Sequence, residues 1–166
     1  MSKGQSAADS SRLPASVSEA IDRLRPRYPT TEALLLPALH LAQTHWGGWL
    51  PNEAIEAVAG ELDLAPARVY GVVTFYDLYH LSPVGRHRIR ICTNLSCALR
   101  GANEVLQTVK RSLGVGEGQV TPDGRCSFVP FECLGACEQA PMMMVDDDFV
   151  GNLTPQSALA ALEKLT

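Results

Sequence analysis

Four cysteines in the second half of the chain constrain its fold more than any other feature: Cys92 and Cys97 form a C-x4-C pair, and Cys133 and Cys137 a C-x3-C pair. Any fold that uses all four must bring two separated segments to one place. The segment between the pairs has room for one helix and one strand, so this needs no long excursion of the chain. Four thiolates, two on each iron, are what a [2Fe-2S] core requires, and an electron carrier is the first reading.

Other uses of four cysteines fit less well. Structural zinc also takes four thiolates, but its pairs usually include a tight C-x2-C knuckle, which neither pair supplies. A zinc-stabilised interaction module therefore stands as an alternative. A disulfide exchanger would need a reactive C-x2-C at a helix start, and a Rieske site would need two histidines in place of two cysteines. None of His40, His45, His80 and His87 adjoins either pair in a ligand-like motif. The fifth cysteine, Cys126, lies inside an apparent strand and reads as a small buried hydrophobe. The odd count also argues against a disulfide framework.

Helical signals come first. Residues 1–15 lack periodicity and are expected to be a disordered tail. Ser16-Val-Ser-Glu19 has the form of a capping box ahead of Ile21 and Leu24. A second helix is expected from Thr30 or Thr31 toward Trp46, with Pro37 tolerated early or kinking it. Ile55, Val58, Ala59 and Leu62 mark a third, and Pro66 opens a fourth through Val69, Val73, Phe75 and Tyr76. These four make a small helical bundle over residues 16–84.

At Gly85 the period changes. His87 to Cys92 alternates like a half-buried strand, placing Cys92 at a strand end. Residues 102–113 carry a helical face, and Gly114 to Gly118 reads as a helix-ending turn, since the nucleotide fingerprint would need a preceding strand. Cys126 to Phe131 and Met142 to Val145 read as strands, and Thr154-Pro155 opens a last helix. Residues 85–166 are thus expected to form a small α/β domain, giving an α+β chain overall. The Met142-Met143-Met144 run is expected to shield the cysteines from water. Glu132, Glu138 and Asp146 to Asp148, if near, would lower the potential of a cluster.

With a net charge of -4 and no concentrated Lys/Arg patch, the surface argues against nucleic acid. The N-terminus shows no secretory h-region, and the longest apolar stretch, Ala33 to Ala42, is shorter than the ~20 residues of a membrane span. A reducing, cytosolic compartment is expected, with membrane association only through a partner.

Cys92-Thr-Asn-Leu-Ser-Cys97, Val120-Thr-Pro-Asp-Gly-Arg125 and Glu132-Cys-Leu-Gly-Ala-Cys137 followed by Ala140-Pro-Met-Met resemble the family of the small [2Fe-2S] subunit, the E subunit, of respiratory NADH:quinone oxidoreductase, complex I. Pro37 to Gln43, Gly48-Trp-Leu50 and Ala67 to Tyr76 resemble the family's N-terminal region. The resemblance implies a helical bundle followed by a thioredoxin-like [2Fe-2S] ferredoxin domain. It implies that Cys92, Cys97, Cys133 and Cys137 hold the cluster, with backbone amides around Leu134-Gly135-Ala136 setting its potential and Gly135 allowing close approach. It implies a non-catalytic electron-transfer subunit without a complete active site, set among peripheral-arm subunits on the cytoplasmic side of the inner membrane, beside a flavoprotein that binds FMN and NADH. Equivalent subunits of NAD-linked hydrogenases and formate dehydrogenases resemble it too, though the Thr-Asn-Leu-Ser and Pro-Asp-Gly-Arg segments are closer to the respiratory form. Cys126 is the one departure.

Overall fold

A computed structural model describes residues 12–166. Residues 1–11, most of the expected tail, lie outside the described residues. The chain divides into two compact units, the first ending at Pro83 and the second beginning at Val84.

The first unit is built on four helices: α1 (Ala15–Leu24), α2 (Leu35–His45), α3 (Asn52–Leu62) and α4 (Pro66–Phe75). In α3, Ala54, Ile55, Val58, Ala59 and Leu62 recur every three or four residues and are all buried, the apolar stripe that the sequence spacing implies. They meet Val17 and Ile21 of α1, Leu35, Ala38, Leu39 and Ala42 of α2, and Val69 and Val73 of α4. Burying a side chain such as Leu39 contributes about 1.5–3 kcal/mol. Pro37 sits in the first turn of α2, where backbone amides have no partner within the helix, so its missing N–H is tolerated.

Two buried polar side chains fasten the segment after α4 to α2. Gln43 Nε2 donates to Leu78 O at 3.0 Å while Gln43 Oε1 accepts from His80 N at 2.9 Å. The Tyr79 hydroxyl donates to Leu36 O at 2.8 Å, and burial pushes its phenol pKa well up.

The bundle departs from expectation in two places. The Ser16 capping box does not form, because extended Pro14 starts α1 at Ala15 and leaves Ser16 inside the first turn; Pro14 O accepts the amides of Val17 and Ser18 instead. At the end of α4, Phe75 and Tyr76 face outward, with Phe75 76% exposed.

The second unit holds β1 (His87–Cys92), α5 (Leu95–Leu99), α6 (Ala102–Leu113), β2 (Cys126–Phe131), β3 (Met143–Val145), β4 (Asp148–Val150) and α7 (Pro155–Glu163). The sheet order is β2-β1-β3-β4. Strands β1 and β2 run parallel, with α6 in the crossover between them, and β3 and β4 form an antiparallel hairpin beside β1. Ile89 and Ile91 alternate onto one face with Cys126, Phe128, Met143 and Val145, where Val105, Leu106 and Val109 of α6 and Ala158 and Leu162 of α7 cover them. Thr154 caps α7: its hydroxyl accepts from Ser157 N at 3.1 Å, and its own amide donates to Ser157 Oγ at 2.8 Å.

Two elements go beyond the sequence reading. α5 is a five-residue helix started by the Asn94 side chain, which accepts from Leu95 N at 2.7 Å. β4 begins inside the acidic run, because Asp146 takes a left-handed conformation (φ 54°) that closes the β3–β4 hairpin.

Candidate metal centre

β1 delivers Cys92 to one end of the sheet, and hydrogen bonds pin that end. Cys92 N donates to Met142 O at 3.1 Å and Thr93 N to Phe131 O at 2.9 Å, so neighbouring strands fix the chain on both sides of the first cysteine. Asn94 then starts α5, which carries Cys97 inward. β2 ends beside the same point, after which the chain leaves the sheet through Cys133, Leu134 and Gly135 into a 3-10 turn at Cys137–Gln139. Cys92 and Cys97 are buried with Ala102, Ala136, Ala140 and Met142 in an apolar cluster separate from the main core. Cys133 and Cys137 lie at the surface.

The sulfurs share one electrostatic neighbourhood. Burial pushes the Cys92 thiol up, but the amides of Asn94 and Leu134 and hydrogen bonds with the Cys97 and Cys133 thiols outweigh it and lower its pKa overall. Cys97 is raised, first by burial, then by its hydrogen bond with Cys92 and by the charges of Cys92 and Cys137, while the Met142 amide pulls the other way. Among the described residues, no three His, Cys, Asp or Glu side chains converge closely enough to hold a metal ion. The four thiols share a neighbourhood without crowding around one point.

This donor set suits an iron–sulfur cluster in its chemistry. All four side chains are thiols, and three backbone amides, those of Asn94, Leu134 and Met142, aim at Cys92 or Cys97, where they favour the ionised sulfur. Of the Leu134-Gly135-Ala136 amides expected to serve the site, that of Leu134 reaches Cys92. The other two donors come from outside that segment. The Asn94 amide could be sought from a capping asparagine just after a strand end, whereas nothing local in the sequence signals Met142. Gly135 takes a left-handed backbone (φ 77°), which favours glycine, and a Cβ there would meet no protein atom within 4 Å.

The remaining polar and sulfur residues sort themselves by position along β1. Asp146 sits at the opposite end of that strand, its carboxylate accepting from Arg88 N at 2.9 Å and lying 2.8 Å from His87 Nδ1. Since Cys92 is five residues further along, about 17 Å away at strand spacing, the acidic hairpin is not beside the cysteines. Glu132 and Glu138 do adjoin Cys133 and Cys137 and are exposed. His87 shares Asp146's end of the strand, and His40 packs against Tyr79 in the first unit. Met142 alone of the methionine run joins the cysteine cluster; Met143 enters the main core because alternate strand residues face opposite ways. The Thr121-Pro-Asp-Gly-Arg125 segment is a turn leading into β2, in which Asp123 accepts from Arg125 N at 3.0 Å.

Cys126 pairs in register with His87, while Cys92 pairs with Phe131, so Cys126 is at the far end of the sheet. It is fully buried in the main core, and burial pushes its thiol up. Cys126→Ala is expected to keep the iron content and visible spectrum of the parent chain while lowering stability by about 1 kcal/mol, as a small core truncation does. Parallel iron determination and chemical denaturation would check it; loss of iron in the folded variant would bring Cys126 into the site.

Residues 21–166 match the family described as thioredoxin-like [2Fe-2S] ferredoxin. The chain is 43% identical over 141 residues to a protein of Rickettsia bellii (strain RML369-C) named as the E subunit of NADH-quinone oxidoreductase, covering 84% of each. It is 41% identical over 145 residues to an NADH-quinone oxidoreductase E subunit of Rhizobium meliloti (strain 1021), covering 87% of this chain and 86% of that one. With the mitochondrial NADH dehydrogenase [ubiquinone] flavoprotein 2 of Dictyostelium discoideum it shares 37% identity over 147 residues, 87% of this chain but 60% of the longer relative. Among solved structures, a chain of an NAD+-reducing [NiFe]-hydrogenase in its H2-reduced state superposes with a TM-score of 0.68 at 22% identity, over 78% of this chain and 22% of that one, a likeness of fold alone.

Proposed function

Because this chain belongs to the thioredoxin-like [2Fe-2S] ferredoxin family, we propose that it is an electron-transfer subunit of an NADH:quinone oxidoreductase, binding one [2Fe-2S] cluster through Cys92, Cys97, Cys133 and Cys137. The observation that carries this reading is the meeting of two cysteine pairs, Cys92 at a strand end and Cys97 on the helix after it, Cys133 and Cys137 on a surface loop, with backbone amides favouring the ionised sulfurs of Cys92 and Cys97. When bound, such a cluster accepts and releases single electrons. The chain's own part is to fix the thiolates, to keep water from Cys92 and Cys97 with Ala136, Ala140 and Met142, and to bias the ionised sulfurs through the Asn94, Leu134 and Met142 amides.

The partner in this reading is the subunit that binds FMN and NADH. Its support is twofold. Relatives named as NADH-quinone oxidoreductase subunits are similar over most of the chain, and the exposed side of the site carries Cys133 and Cys137, with Leu95 and Leu99 of α5 69% and 79% exposed. Large apolar side chains so open to water suit a covered surface. The hydrogenase likeness, at 22% identity, gives no comparable support for a hydrogenase role. Among the described residues no helix is long and apolar enough to cross a membrane. Attachment to the cytoplasmic face of the inner membrane would run through other subunits.

Co-expression with the FMN-bearing subunit of the same organism tests the partner. A stoichiometric complex that keeps FMN and the brown colour through size-exclusion chromatography is expected. Separate elution of two folded, cofactor-loaded proteins at micromolar concentration would refute this docking.

A further inference from the structure

The loop that carries Cys137 is braced by residues with no sulfur of their own. Leaving β4, the chain runs through Gly151, Asn152 and Leu153 alongside residues 139–141. Asn152 N donates to Gln139 O at 2.6 Å and Leu153 N to Pro141 O at 2.9 Å. The Leu153 side chain is buried in the main core, so this strap is anchored in the same apolar layer that holds the sheet. It passes so close that a Cβ at Gly151 would stand 2.5 Å from Gln139 Cβ, 2.7 Å from Gln139 Oε1 and 3.0 Å from Gln139 O. Contact with a Cβ is not relieved by swinging a side-chain tip. The backbone of Gln139 or of the strap would have to move.

The braced loop serves the sulfurs at both ends. Cys137 and Gln139 share one 3-10 turn, so a shift of Gln139 carries Cys137 with it. Past Pro141, the Met142 amide turns toward the Cys97 sulfur while the Met142 carbonyl accepts from Cys92 N at 3.1 Å. We propose that Gly151–Leu153 is a positioning strap for the cluster: its close passage, which needs glycine at 151, sets where the Cys137 sulfur and the Met142 amide stand relative to Cys97. Hydrogen bonds to cluster sulfurs and the placement of ligands tune both affinity and potential, so the strap governs how firmly the cluster is held and at what potential it works. The inference rests on the ligand reading above and extends it to residues outside the cysteine motifs.

The test uses the full chain purified anaerobically, with iron content, EPR of the reduced form and midpoint potential as readouts. Gly151→Ala is expected to drop from about two irons per chain to about one or fewer, with an altered EPR line shape and a shifted potential in the fraction that loads. Gln139→Gly removes the Cβ and Oε1 that the new methyl meets most closely, leaving of those three atoms only the carbonyl at 3.0 Å. The double variant Gly151→Ala/Gln139→Gly is therefore expected to recover iron and most of the parent spectrum. Gly151→Ala is expected to keep the parent's circular dichroism, which separates displaced ligands from a general loss of foldedness. Parent-like iron, spectrum and potential in Gly151→Ala would overturn the strap, and so would cluster loss that Gln139→Gly fails to relieve. A parent chain that itself binds no iron would overturn the ligand reading, and the strap with it.

Discussion

Cys92→Ala is expected to yield a chain without the two-iron spectrum of the parent, its iron falling from about two per chain to almost none. Cys92 is buried at the end of β1 with its Sγ donating to Glu132 O at 4.0 Å, and the amides of Asn94 and Leu134 favour its ionised sulfur. Removing its sulfur leaves those two amides aimed at nothing and one iron of a cluster short of a thiolate. Cys133→Ala is expected to do the same from the surface, although that side chain contributes little to packing. In both variants the first unit should keep its helical circular dichroism and melting, because its core runs from Val17 to Tyr79 and includes no residue of the second unit. Retention of the parent cluster spectrum in either variant would refute the ligand assignment.

Gly85→Ala is expected to cost the second unit about 3 kcal/mol or more, the upper range for forcing atoms into a packed site. For a domain of this size that lowers its melting temperature by roughly 15 °C. A Cβ on Gly85 would run into Cys126 C and stand 2.5 Å from Ser127 N and 2.7 Å from Cys126 Cα, all of them backbone atoms of β2. Those atoms belong to the strand that pairs with β1 directly afterwards, from His87 opposite Cys126 onward. The methyl would therefore wedge the two parallel strands apart at the entrance to the sheet, and would strain the bond that Gly85 N donates to Ser127 Oγ at 3.0 Å. Gly71→Ala is the matched control, since a Cβ there, on α4, meets nothing within 4 Å. A second unit that melts within about 2 °C of the parent in Gly85→Ala would show that the close passage is not required.

The parts of this fold legible in the sequence are those with a strong local period or an obligatory chemistry. The apolar spacing of α3, the alternation of β1 and the capped start of α7 follow from local rules and appear as expected. The four cysteines could be singled out because so few chemistries use that residue type in two pairs. What the sequence hid depends on contacts between distant segments. The hairpin β3–β4 turns on one left-handed aspartate inside a run that reads as plain surface charge. The outward turn of Phe75 reflects where α4 ends, and the displaced cap of α1 reflects the extended backbone of Pro14. Around the site, Met142 supplies an amide that nothing local in the sequence marks, and Gly151 matters only because Gln139 passes beside it. The left-handed backbone of Gly135, at φ 77°, is another feature of the loop that its sequence neighbours do not announce.

The most direct test of the cluster assignment is iron, sulfide and zinc analysis of the anaerobically purified full chain, together with visible absorption and low-temperature EPR before and after dithionite. The expected result is a brown protein with about two irons and two acid-labile sulfides per chain that develops a rhombic EPR signal on reduction. A colourless, EPR-silent protein holding one tightly bound zinc would contradict it and make the four cysteines a structural site.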